Sequence, residues 1–389
     1  MSDSVVIVSA RRTAIGSFQG QFSALKSPEL GSAAIRAAVS DAGINGSDIS
    51  EVIMGCVLPA GVGQAPARQA ALGADLPVSA TCTTINKVCG SGMKAVMQAA
   101  DAIRAGSAKI VVAGGMESMT KAPYLIDRGL RMGHVQATDH MFFDGLQNPY
   151  DGQLMGPLGE KCAAKYHFTR EDQDAFSKAS VERANAALAE GRFEAEIAPV
   201  TIKSRRGEQV VANDEEPPRC NIEKMPSLRP AFAKDGTITA ASSSKISDGA
   251  AALVLLSEAD AKAHGSQPLA RLVAQAAHAQ EPEWFTTAPV GAMQKVLDQA
   301  GWTVADVDLF EINEAFAVVT MAAMKDLDIP HDKVNVNGGA CALGHPIGAS
   351  GARILVTLIH ALKARGLKRG VASLCIGGGE ATAVAVELL

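Results

Sequence analysis

The sequence predicts an α/β protein built from two similar halves packed together, with a further region inserted into the first half. Three observations carry this. Short apolar strands alternate with amphipathic helices along most of the chain. A unit of helix end, Ala-Gly, polar loop and strand occurs twice at a nearly fixed spacing. That spacing then breaks once, by the length of an insertion.

The strands are expected at residues 5–8, 51–56 and 110–113, and again at 309–312, 333–336 and 370–375. Apolar strands between helices imply parallel or mixed sheets covered on both faces. In the helix that follows Ser91, the positions Met93, Val96, Met97, Ala100 and Ile103 form one apolar face. Residues 42–55, AGINGSDISEVIMG, match residues 300–313, AGWTVADVDLFEIN, at an offset of 258. The helix opening at Ser91-Gly92 matches that at Ser350-Gly351 at an offset of 259. The last strand, after Gly379, finds its partner after Gly249, an offset of only 130, so 129 residues have entered the first half after about Glu117. The inserted stretch is irregular, with a helical pattern near 170–190 and the charged, Pro-rich piece RRGEQVVANDEEPPRC. Irregular sequence of that length inside a compact fold points to function. The division is therefore 1–117 with 249–268, an insertion at 118–248, and 269–389.

Composition narrows the function. The chain has 389 residues, 36 Lys+Arg against 41 Asp+Glu, a net charge of −5, and is 47% hydrophobic but only 4% aromatic. That balance excludes a disordered chain and a broad nucleic-acid footprint. No apolar run approaches the roughly 20 residues of a membrane span. At the N-terminus Asp3 precedes the apolar run and the arginines follow it, the wrong order for a secretory signal. Seven cysteines, an odd number with no CxxC pair, speak against a disulfide framework and a structural zinc site, and for a reducing, cytoplasmic setting. No metal site is expected.

Four segments carry chemistry, each at a strand-to-helix or strand-to-loop junction. In NKVCGSG, Cys89 precedes a helix, where free N–H groups and the dipole favour a thiolate, and Gly90 and Gly92 would let a substrate approach. In NGGACALGHPIGASG, His345 lies before the helix that mirrors the Cys89 helix. If the halves are pseudo-symmetric, the two helix mouths face each other, and a His beside a Cys is the activation pair of thiol nucleophiles. In LCIGGG, Cys375 ends a strand before three glycines whose amides would suit an oxyanion, and phosphate binding is an equally fair reading of that loop. There is no GxxxxGK[ST] motif and no GxGxxG after the first strand, which removes the common nucleotide-binding loops. In EINEAF, Asn313 is placed to hold a water or a carbonyl oxygen.

In order and spacing, VCGSGMKAV, NEAF, GHPIGASGAR and CIGGG resemble the thiolase family, as do residues 10–18, ARRTAIGSF, and GGMESMT at 114–120. The resemblance covers essentially the whole chain. It implies a duplicated five-layered α-β-α-β-α fold with an inserted loop domain. It also implies an acetyl-CoA C-acyltransferase, which condenses two acetyl-CoA to acetoacetyl-CoA or cleaves a 3-ketoacyl-CoA with coenzyme A. By resemblance Cys89 carries the acyl group, His345 takes its proton, Cys375 is the acid/base, Asn313 holds a water, and the amides of Cys89 and Gly377 form an oxyanion hole. Arg219, Ser244, Phe232, Leu146, Met155 and Phe316 would contact coenzyme A. Coenzyme A is then a substrate, no separate cofactor is needed, and the partners are acyl-CoA and a second copy of the chain, as dimer or tetramer, pairing near residues 81–88. Two positions depart from many short-chain members: Leu154 stands where they have His, and Phe285 where several have Met. A broader-chain thiolase of fatty-acid oxidation and a non-catalytic acyl-CoA-binding paralogue are the alternatives. A decarboxylating ketoacyl synthase would lack the second thiol at Cys375, and a cysteine hydrolase would not need it.

Overall fold

The computed structural model describes residues 4–129, 131–204 and 207–389. The first half supplies strands β1 (Val5–Thr13), β2 (Glu51–Gly55), β3 (Thr81–Ile85), β4 (Ile110–Ser118) and β5 (Ser247–Ser257), with helices α1 (Ser27–Ala42), α2 (Pro66–Gly73) and α3 (Ser91–Ala105). Between β4 and β5 lie α4 (Met155–Tyr166) and α5 (Arg170–Ala189), and α6 (Glu258–His264) leads into the second half. There follow β6 (Ala270–Ala279), α7 (Ala288–Ala300), β7 (Leu309–Ile312), α8 (Ala317–Leu327), the single turn α9 (Ala340–Leu343), α10 (Ser350–Arg365), β8 (Arg369–Ile376) and β9 (Glu380–Leu388).

The strands run in the order β7-β8-β9-β6-β1-β5-β4-β2-β3. β3, β2 and β4 are parallel, as are β7 and β8, while the longer strands pair antiparallel. The two half-sheets join where Val6 faces Arg271 and Ile7 faces Ala270. Side-chain alternation along each strand then builds layers. In β4, Ile110, Val112 and Met116 enter an outer core with Leu30, Ala34 and Ile35 of α1, while Val111 and Ala113 enter a central core with α3 and α10. On the far side, β8 and β9 pack against α7 and α8 through Val371, Ala383, Met293 and Ala323. The order is α1/α2, sheet, α3/α10, sheet, α7/α8, which is the five-layered α-β-α-β-α arrangement.

The duplication is visible in the caps as well. α1 and α7 end at Gly43 and Gly301, with φ of 64° and 67°, a left-handed position that favours glycine. α3 and α10 begin at the matched Ser91 and Ser350. The insertion leaves at Ser118 and returns at Asp248, which face each other across the β4–β5 ladder. Its ends are neighbours, so the sheet closes around it. The helix expected near 170–190 is α5, opened by a reciprocal cap between Thr169 and Asp172.

One expected strand does not form. Residues 333–336 make only a lone bridge between Val334 and Phe310. Asn335 adopts φ 47° and turns its side chain onto β7, where Oδ1 accepts the Ile312 N–H and Nδ2 donates to the Ile312 carbonyl, both at 2.8 Å. A side-chain amide has taken the place of a strand's backbone. Conversely, β6 is a strand that the apolar pattern of the sequence does not announce.

The two central helices meet backbone to backbone. A Cβ at Gly351 would lie 2.4 Å from the Met93 nitrogen, and one at Gly92 would lie 2.8 Å from the Ala352 nitrogen. Gly351→Ala therefore forces α3 and α10 apart. It is expected to destabilise the protein by about 1–3 kcal/mol, read as a lower denaturant midpoint at unchanged slope, and an unshifted midpoint would contradict this packing.

Candidate active site

Cys89 sits on a strained turn between β3 and α3. Val88 has φ 45°, an uncommon position for a β-branched residue. Three hydrogen bonds hold it there. The Val88 N–H donates to Asn86 Oδ1 at 2.8 Å, Ser91 Oγ donates to the Val88 carbonyl at 2.7 Å, and the Lys87 N–H donates to Ser91 Oγ at 2.8 Å. Lys87 also pairs with Glu380, fastening this turn to the glycine loop that follows Cys375. The Cys89 side chain packs against the cluster of Val57, Leu58, Met119, Met141 and Ile347.

His345 is 5% exposed and lies in a turn before α10. Its Nδ1 is 2.5 Å from Ser350 Oγ, and Ser350 Oγ donates to the Pro346 carbonyl at 3.0 Å. The serine proton is thereby used, so the network assigns the histidine proton to Nδ1 and leaves Nε2 as an acceptor. Nε2 is buried without a protein partner, and the residue lines the inner cavity. Burial first, and the Arg353 charge second, lower the imidazole to about 3, so it is a neutral base at physiological pH.

Cys375 ends β8, fully buried in a cluster with Phe285 and Phe316. Burial, then the neighbouring Cys89, push its thiol well above the usual range. The backbone amides of Gly377 and of Cys89 itself favour the thiolate. Burial outweighs both and raises Cys89 to about 11. The expectation that the helix N-terminus would favour the thiolate is thus corrected: α3 starts at Ser91, and desolvation decides the sign. Asn313 follows β7, and both polar atoms of its side-chain amide are buried without a protein partner.

Two connected cavities lead inward. The inner one, about 190 Å³, is lined by Met119, Phe142, Leu146, Leu154, Met155, Phe232, Phe316, His345 and Ile347 among others. The outer, about 350 Å³, runs along Ser17, Phe18, Glu216, Arg219 and Ala231. They share Phe232 and residues 243–246. The structure therefore brings Leu146, Met155, Phe232, Ser244 and Phe316 to one channel, with Arg219 at its mouth. Phe232 stands edge-on to Phe316 at 5.8 Å, and Phe316 to Phe285 at 6.4 Å. Arg219 already donates to Ser17 at 2.8 Å and to Glu215 at 3.1 Å, and its side chain is otherwise open.

One sequence reading changes, and one residue was missed. Gly90 and Gly92 do not clear room for a substrate, because a Cβ at Gly90 would meet the Ile376 side chain and one at Gly92 the backbone of Ala349 and Ala352. Lys245 escapes a reading of the motifs, although it lines both cavities and its carbonyl accepts the His345 N–H at 3.0 Å. The only cue is a cation after three serines, SSSK, next to Ser244.

Comparison with known proteins gives the same picture. Residues 5–259 match the family model described as thiolase, N-terminal domain, and residues 266–388 that described as thiolase, C-terminal domain. An acetyl-CoA acetyltransferase of Pseudomonas aeruginosa is 49% identical over 385 residues, covering 98% of each chain. A probable acetyl-CoA acetyltransferase of Dictyostelium discoideum is 51% identical, covering 100% of this chain and 94% of its own. Among solved structures, an acetyl-CoA acetyltransferase of Bacillus anthracis superposes with a TM-score of 0.97 at 42% identity, covering 100% of this chain and 99% of its own. A thiolase of Ascaris suum in complex with coenzyme A superposes with a TM-score of 0.94 at 45% identity, covering 99% and 100%.

The thiol shift has a direct readout. Only the thiolate alkylates, so the iodoacetamide rate at Cys89 in the free protein should climb about tenfold per pH unit through the alkaline range and level off near 11. A plateau already reached at neutral pH would contradict the burial argument.

Proposed function

We infer that the chain, which belongs to the thiolase family, is an acetyl-CoA acetyltransferase that joins two acetyl-CoA to acetoacetyl-CoA and coenzyme A and runs the reverse thiolysis. The observation that carries this reading is a strained Cys89 beside a second buried thiol at Cys375, with the turn that carries a neutral, unpartnered His345 packed on the opening of the Cys89 helix and lining an apolar cavity. A thiol hydrolase needs one such sulfur, whereas reversible carbon–carbon cleavage needs a nucleophile and a separate proton donor.

In thiolysis, Nε2 of His345 takes the Cys89 proton and the thiolate attacks the 3-keto carbon of acetoacetyl-CoA. The bond between C2 and C3 breaks, its electron pair stays on the acetyl-CoA enolate, and the Cys375 thiol protonates that carbon. The Cys375 thiolate then takes the coenzyme A proton, the coenzyme A sulfur attacks the acetyl group on Cys89 to form a second acetyl-CoA, and the released Cys89 thiolate recovers its proton from His345. The amides of Gly377 and Cys89, and a water held by Asn313, are assigned to the oxyanions. Fixed donors matter here, since one such donor is typically worth about 10²–10³ in rate. The raised thiol pKa values suit this chemistry, because a dry site makes an unused thiolate costly and confines deprotonation to the substrate complex. Every step is acyl or proton transfer, so the proposed chemistry draws on no metal or redox cofactor.

For coenzyme A, the insertion supplies most of the channel wall. Arg219 at its mouth suits phosphate or adenine, and Ser244 and Phe232 lie where the pantetheine arm would run. Leu154 lines the inner cavity, so this chain presents an aliphatic contact where a histidine would offer a polar one. Phe285 is buried behind Phe316 in the cluster that holds Cys375; we assign it to the acyl end, where its ring favours a short acyl group over a broad chain-length range. We further propose self-association through β3, which ends the sheet order and alternates exposed Thr81 and Thr83 along an open edge. Among the described residues no helix is long and apolar enough to cross a membrane. Seven free cysteines favour a reducing, cytoplasmic setting.

Incubation with acetoacetyl-CoA and coenzyme A is expected to yield acetyl-CoA. Cys89→Ala should reduce turnover by at least about 10⁴-fold and abolish the acetyl adduct seen by intact mass; full turnover in that variant would sink the assignment. Phe285→Ala should raise kcat/KM for a six-carbon 3-ketoacyl-CoA relative to acetoacetyl-CoA by about tenfold, and an unchanged ratio would place the acyl limit elsewhere.

A further inference from the structure

Glu117 stands out as a buried acid with no basic partner among its hydrogen bonds. It belongs to β4, where alternation sends it to the central face above Val111 and Ala113, a face otherwise apolar. It is fully buried. A carboxylate in that position is costly unless its oxygens are satisfied. Its partners are three backbone amides from two separate segments: Val57 at 3.0 Å, Leu58 at 3.2 Å and Gly348 at 2.9 Å. The Cys56 thiol adds a weak contact at 3.8 Å.

Gly348 is held from its other side too. Its carbonyl oxygen lies where a Cβ on Gly55, Gly92 or Gly115 would stand, at 2.8, 3.1 and 2.0 Å. The residue is gripped between three glycine backbones and one carboxylate. Gly348 closes the turn that begins at His345, where the Ala349 N–H donates to the Pro346 carbonyl at 2.8 Å. A displacement at Gly348 is thus passed to His345 through a tight turn. The Val57–Leu58 segment and Ile347 meanwhile form the apolar wall against which Cys89 packs.

We propose that Glu117 is a positioning residue of this site, a clamp that sets the His345 turn and the Val57–Leu58 wall in register around Cys89. The assignment rests on the thiolase reading above for its kinetic consequence, but the clamp itself does not. The three amides need an acceptor, which only the carboxylate supplies in full. Burial pulls the other way and raises Glu117 to about 7, with the amides opposing. Its charge also adds to the cost of a Cys89 thiolate. The titratable groups that bear on Cys89 are therefore Glu117 and Cys375.

The clamp makes two effects separable. Glu117→Gln keeps the volume, removes the charge and turns donors toward amide donors. Turnover of acetoacetyl-CoA should fall by at least about tenfold with the KM for coenzyme A little changed, while the alkylation inflection of Cys89 moves to lower pH. Glu117→Asp keeps the charge but draws it back from Gly348, so kcat should fall and the alkylation inflection should stay where it is. Unchanged kcat in both variants overturns the proposal, as does a parallel fall of kcat, alkylation and thermal midpoint, which would mark a merely structural role. If neither variant folds, amide exchange in the wild-type protein decides. Peptides covering 56–60 and 346–350 should share slow, matching protection, and rapid exchange at Gly348 rules the clamp out. Absence of thiolase turnover in the wild-type protein would refute the functional reading and leave the exchange and alkylation results to judge the clamp.

Discussion

The contact on which the site depends is the one between α3 and α10. Each helix opens on Ser-Gly, and Gly92 and Gly351 let the two backbones touch where any larger residue would hold them apart. Because both helices start there, the Cys89 turn and the His345 turn emerge together, at the same end of the central layer. The sheets on either side follow from this placement. Both helices bury their apolar faces against both half-sheets, so the central core is one continuous cluster from Val5 to Val386. Close packing of this kind suits a chain rich in Ala and Gly and poor in rings, since interdigitation rather than side-chain bulk fills the space.

Dryness has a consequence for chemistry. The same burial that raises Cys89 and Cys375 lowers His345. All three shifts disfavour charge and leave thiols and imidazole neutral at rest. Ser350 holds the imidazole in one tautomer, and it does so from the first turn of α10, the element that the Gly351 contact positions.

The insertion is fastened to this frame through charge. Arg12 on β1 is completely buried and binds Glu196 at 2.6 Å and Asp214 through both terminal nitrogens at 2.8 and 2.9 Å, over the ring of Phe193. Burial works against the guanidinium, and the two carboxylates outweigh it and hold it charged. Glu196 also accepts from Thr357 of α10 at 3.1 Å, so the insertion is tied to both halves at once. A buried network of this sort is intolerant of losing one member, because the remainder is left charged and unpaired. It seats the insertion, which carries Arg219 and Phe232, on the frame that carries the inner end of the channel.

Much of this was legible from residues alone. The repeat offset of 258–259 located matching helix ends and openings, since caps and turn glycines are fixed by local backbone geometry. The motif residues Cys89, His345, Asn313 and Cys375 were legible because each stands where a strand gives way to a loop or a helix opens, next to glycines or other polar residues. Tertiary structure alone decided the rest. Asn335 replaces a strand by hydrogen bonds to Ile312, 23 residues away, which no local period encodes. Gly92 serves a helix 259 residues distant rather than a ligand, because space around a glycine is set by what folds against it. The thiol of Cys89 is raised rather than lowered because desolvation sums over every neighbour, whereas the helix dipole is the only contribution that the sequence displays. Glu117, read along the chain, is one acid in GGMESMT; folded, it is a buried carboxyl gripped by amides from residues 57, 58 and 348. Periodicity and caps are properties of neighbours in sequence, while burial, register and electrostatics belong to neighbours in space.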